Sequence, residues 1–171
     1  MGHVWLSRLI VGAFAATVLA GCSGSGSAAP SSDTFINGHS VWPLSWCPSV
    51  HEANTALGAH YTKLLSAGGP TNLTCNYVST IGAPSTQVIV GAPGTYTPQQ
   101  LQEDMASHGN QAVPVAGLGQ AAYYLSLASP EHPNGGYFLY ISKGNTFLQI
   151  GTAVPLSTAE SWATSLFAKL P

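Results

Sequence analysis

The chain has little with which to do chemistry: three cysteines, six histidines, six acids and four cations in 171 residues. An α/β-type serine hydrolase would carry G-x-S-x-G, which exposes its nucleophile on a strained strand-to-helix turn, and that pattern does not occur. H-E-x-x-H, which sets two zinc-binding histidines on one helix face, and S-x-x-K are missing as well. His51-Glu52 begins like the zinc motif, but Thr55 stands where the second histidine belongs. Adjacent helical positions diverge by about 100°, so this pair reads as a solvated face, as does Glu103-Asp104. Glu131 and His132 fall in a loop, and His39, His60 and His108 are isolated in sequence, so any site they form must be assembled by the fold. Gly117-Leu118-Gly119 precedes a strand rather than a helix, so it reads as a turn needing positive φ, not as a phosphate cradle. No catalytic residue, metal site or cofactor is expected.

The cysteines are more informative. Arg8 and the apolar run Leu9–Val18 have the form of a secretory leader, and the run is shorter than the roughly 20 residues a membrane span needs. The leader ends in Leu19-Ala20-Gly21-Cys22, which resembles a bacterial lipobox; the bland alternative is an ordinary signal peptide with a chance cysteine. On the lipobox reading, residues 1–21 are removed and Cys22 carries a diacylglyceryl group, whose two chains suffice for stable anchoring. Residues 22–38 then form the lipidated cysteine and a flexible Gly/Ser tether, and 39–171 a single extracytoplasmic domain. With Cys22 consumed, Cys47 and Cys75 remain as an even pair in an oxidising compartment, which predicts one disulfide.

Composition narrows the partners. Hydrophobic residues make up 45% of the chain and charged residues 6%, against roughly 25% charged in an average globular protein. This excludes a disordered polyelectrolyte. Outside the leader the cations are Lys63, Lys143 and Lys169, too far apart in sequence to form the basic stripe that nucleic acid requires.

The elements that must position any site follow from periodicity and punctuation. Pro48 opens a helix with Val50, Ala53, Leu57, Tyr61 and Leu64 at helical spacing; Gly58 either ends it, leaving 59–66 as a separate piece, or merely interrupts it before Gly68-Gly69-Pro70. Strands are expected over 74–80 and 87–92, around an Ala83-Pro84-Ser85 turn. Thr97, Pro98 and Gln100 mark a capped second helix with Leu101 and Met105 inward and Gly109 as its stop. Strands over 121–128, 137–142 and 146–153 follow, and Ser157 with Glu160 caps a C-terminal helix whose inward face is Trp162, Leu166, Phe167 and Leu170. The order is α-β-β-α-β-β-β-α. It predicts an α+β two-layer sandwich, a largely antiparallel sheet with helices on one face.

Trp46-Cys47-Pro48 before a helix, Cys75-Asn76-Tyr77 on a strand and Gly117-Leu118-Gly119-Gln120-Ala121-Ala122 before a meander together resemble an actinobacterial, mycobacterial-type family of cell-surface lipoproteins of unknown function. They are more loosely similar to the extracytoplasmic sensor domains of actinobacterial kinases. The resemblance covers about 42–170, with Gln120 where an acidic residue is common, and it implies a lipid-anchored α+β domain with one disulfide.

Trp42, Trp46, Tyr123 and Tyr124 are the candidate ligand-binding residues. Alternation puts Tyr123 and Tyr124 on opposite sheet faces, one of them core and the other free to line an aromatic groove; alternatively the tryptophans simply pack over the disulfide. The expected function is therefore a non-enzymatic, lipid-anchored binding or interaction module at the outer face of the cell membrane. Its partners would be the membrane, through the lipid on Cys22, and an apolar or glycan ligand or an envelope protein. The alternative is a small cell-envelope hydrolase whose site exists only in the fold.

Overall fold

A computed structural model describes residues 40–80, 85–127 and 135–170. The leader, Cys22, the tether, His39, the Ala83-Pro84 turn, and Glu131 with His132 lie outside the described residues. Among the described residues there are three α-helices and seven strands, and all seven strands join one open antiparallel sheet.

The first helix, α1 (Val50–Leu57), starts at Ser49 rather than Pro48. Ser49 Oγ accepts from the Glu52 backbone N–H while the Glu52 carboxylate accepts from the Ser49 N–H, so each orphan donor is satisfied by the other residue. Gly58 ends it in the left-handed conformation at φ +60°, which a side chain would disfavour. The stretch 59–66 is not a second helical piece: Lys63–Gly68 is β1, paired with β2 (Asn72–Val78) across the Gly69-Pro70 turn. Tyr61 and Leu64 sit at helical spacing, but the Asn54 amide holds the Tyr61 backbone, and from Thr62 onward the backbone pairs with β2.

β3 (Thr86–Gly91) follows, then α2 (Pro98–Ser107), whose Thr97–Gln100 capping box and buried Leu101 and Met105 match the sequence. The short β4 (Ala112–Pro114) has no counterpart in the sequence reading; its three residues carry too little pattern to register. β5 (Ala121–Ser126), β6 (Tyr137–Lys143) and β7 (Thr146–Thr152) complete the sheet, in the order β1-β2-β3-β7-β6-β5-β4. The last helix, α3 (Leu156–Phe167), has Pro155 at its N-cap, and the expected Ser157 cap is wrong: Pro155 O accepts from the Thr158 and Ala159 N–H groups, so Ser157 lies inside the helix.

The α+β class and the antiparallel sheet agree with expectation; the expected two layers with helices on one face do not, because helices cover both faces. α1 and α3 cover one face, where Leu73, Tyr77, Val88, Leu139 and Ile150 are fully buried with Trp162 and Leu166. α2 covers the opposite face of the β5–β6 half, burying Leu101 and Met105 against Ala121, with Tyr123 and Tyr140 packed alongside. Strand alternation explains this: Leu139 and Ile141 project to one side, Tyr140 to the other.

Three ties hold α1 to this frame. Cys47 and Cys75 form the expected disulfide, joining the start of α1 to β2. Beside it, the fully buried Tyr77 hydroxyl donates to Pro48 O at 2.7 Å, and burial pushes that phenol's pKa upward. On the exposed side, Lys169 Nζ donates to Glu52 Oε1 at 2.9 Å, linking α1 to the end of α3.

Removing the disulfide by Cys47→Ala with Cys75→Ala lowers unfolding free energy by about 3.5 kcal/mol, the loop-entropy scale for a separation of 28 residues, as read by urea titration. Hydrogen bonds from Lys169 and Ser49 hold the Glu52 carboxyl down at about 2. A depressed carboxyl contributes stability that is complete above its ordinary pKa, near 4.5, and is lost as pH falls toward 2. Because the pair is half exposed, the loss is under about 1 kcal/mol. Glu52→Gln removes this acid-side slope when melting temperatures are compared between pH 6 and pH 2.5.

Candidate functional site

A groove with the character of a binding site lies at one end of the sheet. There the end of β3, the start of β7, the end of β6 and the approach to β5 meet the C-terminal end of α3. The groove, of about 600 Å³, opens between them, and a neighbouring hollow of about 290 Å³ has Lys143 and Phe167 in common with it; the two together are called the trough. Volumes of this order suit small molecules.

Each wall is fixed by a specific contact. Trp42 is 7% exposed, and its indole Nε1–H donates to Gly91 O at 3.0 Å, locking the ring against the end of β3. The loop after β3 is held to the β6–β7 turn by Gly94 N–H donating to Asn145 O at 2.7 Å. Opposite, Phe167 and Leu170 continue α3's apolar face beyond the fully packed Leu166 and remain half-buried.

The third wall needs its glycines. Gly119 has φ +69°, and a Cβ there would meet Ser142 O at 2.7 Å and Ile141 Cγ2 at 2.9 Å. The loop therefore lies flat on the end of β6, with Gln120 N–H donating to Ser142 O at 2.8 Å and Leu118 turned inward. Gln120 Oε1 accepts from Gly144 N–H at 2.6 Å, tying this loop to the β6–β7 turn.

Lys143 is the one charged side chain lining the trough. Among the described residues it has no ion-pair or hydrogen-bond partner, whereas Lys169 is engaged by Glu52.

Of the four aromatic candidates, Trp42 lines the trough and the other three do not. Trp46 is half-buried against the α1–α3 core, with an indole N–H that has no partner. Tyr124 packs on the same face, its ring 4.9 Å from that of Tyr137, while Tyr123 faces the α2 side. Cys47 and Cys75 are both buried in their disulfide.

The histidines do not gather. His51 and His108 are exposed, on α1 and at the end of α2. His60 lines a separate cavity of about 400 Å³ together with Ser79 and Thr80. Beneath it runs a buried hydroxyl chain, Tyr61 to Thr86 at 2.6 Å and Thr86 to Thr152 at 2.7 Å. Among the described residues no three of His, Cys, Asp and Glu are grouped to hold a metal ion, and no helix is long and apolar enough to cross a membrane.

No protein-family model matches the chain, and a search of curated proteins finds no match.

The trough itself was missed in the sequence because its parts carry bland signals there. Lys143-Gly144-Asn145 reads as a tight turn, and Phe167 with Leu170 as ordinary inward positions. The available hint was that Phe167 and Leu170 extend the apolar stripe to the very end of the helix pattern, where packing partners run out.

Gly119→Ala tests the architecture. The added Cβ must displace Ser142 O and sits on a left-handed backbone, so stability falls by about 1–3 kcal/mol in denaturant titration. Gly117→Ala, at φ +78° with nothing within 4 Å, loses only the backbone part.

Proposed function

We propose that this chain is a non-enzymatic binding module of the cell envelope. It is anchored by lipid on Cys22 at the extracytoplasmic face of the membrane, and its binding surface is the trough at the end of α3. The observation that carries the binding reading is the trough's composition. It has apolar walls from three separate parts of the chain, one unpaired cation and no acid or histidine among its lining residues. Such a surface offers burial and one charge for orientation, but no group able to relay a proton near neutral pH. The Leu19-Ala20-Gly21-Cys22 motif and the Gly/Ser tether support the anchor, and the Cys47–Cys75 disulfide is in keeping with an oxidising compartment.

A second reading, a small hydrolase, draws on His60 and Ser79 lining one cavity. No acid lines that cavity to orient the histidine. The binding module is therefore the better supported of the two.

Full-length chain expressed in an actinobacterial host tests the anchor by intact mass and membrane fractionation. The expected product begins at Cys22, carries a diacylglyceryl mass and sediments with membranes, and Cys22→Ser releases it to the soluble fraction. A product cleaved elsewhere and free of lipid contradicts the proposal. Ester hydrolysis that is abolished by His60→Ala and by Ser79→Ala would favour the hydrolase instead.

A further inference from the structure

The trough's chemistry selects among ligands. We propose, resting on the reading of the trough as the binding surface, that it takes a monomeric single-chain amphiphile with a compact anionic head. The alkyl chain lies along Phe167, Leu170 and Trp42, and the head sits on Lys143.

Three observations carry this. The first is placement: Lys143 lines the larger hollow together with the apolar side chains of Trp42, Phe167 and Leu170, so one ligand there can meet both a charge and an apolar wall.

The second is the sign of the polar groups. Gln120 Oε1 faces the Gly144 N–H at 2.6 Å, and an N–H donor fixes that atom as the oxygen, so the remaining amide NH₂ can only donate. Lys143 likewise has donors and no acceptor. Both side chains line the larger hollow; Asn145 and Thr146 line it too and can also accept, but Lys143 is its one charge. A carboxylate or phosphate therefore meets an opposite charge there, and an ammonium a like one. The chain's net charge of -2 gives no general attraction for anions, so the preference is local to Lys143.

The third is what Trp42 does not offer. A sugar is typically held on an open aromatic face, yet Trp42 is 7% exposed with its edge fixed on Gly91 O. It contributes apolar wall rather than a stacking platform, which sets the amphiphile above the glycan.

The test uses the full chain carrying Cys22→Ser, so that no acyl group of its own competes for the trough. Isothermal calorimetry is run with dodecanoate, dodecanol and dodecyltrimethylammonium, each below its aggregation concentration. Dodecanoate is expected to bind one to one and at least tenfold more tightly than dodecyltrimethylammonium. Lys143→Met removes that preference, and Lys63→Met, on the edge strand, leaves it intact. Leu170→Asp abolishes binding of all three, with circular dichroism and the melting temperature reporting that the fold persists. Should Leu170→Asp unfold the chain, Phe167→Ala serves in its place.

Equal affinity for carboxylate and ammonium, unchanged by Lys143→Met but lost with Leu170→Asp, overturns the anionic head while the trough remains the binding surface. Binding of any probe that survives both Leu170→Asp and Phe167→Ala overturns the inference and the trough reading together. Failure of dodecanoate to bind at all overturns the inference. Repeating the titration with lipidated chain in nanodiscs separates the sources: dodecanoate binding that vanishes there assigns the trough to the chain's own acyl group and overturns a free amphiphile as occupant.

Discussion

The pairing of β3 with β7 is the contact on which the rest of this molecule depends. β1, β2 and β3 form one meander, β4 to β7 another, and the register Gln87–Gly151 to Val90–Leu148 is where they join into one sheet. The partners are about sixty positions apart, so their pairing bears a long loop-closure entropy that local turns do not. Burial supports it: Val88, Val90, Leu148 and Ile150 are fully buried under α1 and α3. Polar contacts then fasten both ends of the seam. At one end the Tyr61–Thr86–Thr152 hydroxyls join across it, and at the other Gly94 N–H reaches Asn145 O.

The trough is a consequence of that seam. Trp42 and Pro93 come from the N-terminal half of the sheet's surroundings, and Lys143, Gln120 and Phe167 from the C-terminal half. Neither half alone encloses the space, so the trough exists only when the two meanders are joined. The scarcity of charge acts in the same direction. With 6% charged residues, the chain positions its loops through backbone donors, an indole and an amide rather than through ion pairs. Lys143 borders the trough without a partner, and the trough's other lining residues carry no charge.

Most of the frame was legible in the sequence. Thr97-Pro98 and Gln100 marked α2, alternation marked β2, β3 and β5 to β7, and the cysteine count marked the disulfide. What escaped was decided by tertiary contact. Tyr61 and Leu64 keep helical spacing, yet the backbone from Thr62 onward pairs with β2. α2 is amphipathic like α1 and α3, and nothing in its own pattern tells which sheet face it covers; the ring positions of Tyr123 and Tyr140, out of phase with the main core, decide that. The trough escaped for the same reason: its residues, from Trp42 to Leu170, are brought together by a seam that no local pattern announces.

The most direct test of the trough as a binding surface is the indole N–H resonance of Trp42 in ¹⁵N-labelled full chain carrying Cys22→Ser, followed during titration with dodecanoate. That proton sits in the hydrogen bond to Gly91 O at the trough wall, whereas Trp162 is buried beside Tyr77, away from it. The account predicts saturable shifts at Trp42, Gly91, Gln120 and Lys143, with the Trp162 indole unmoved. Shifts centred instead on His60, Ser79 and Thr152, with Trp42 unchanged, would contradict it.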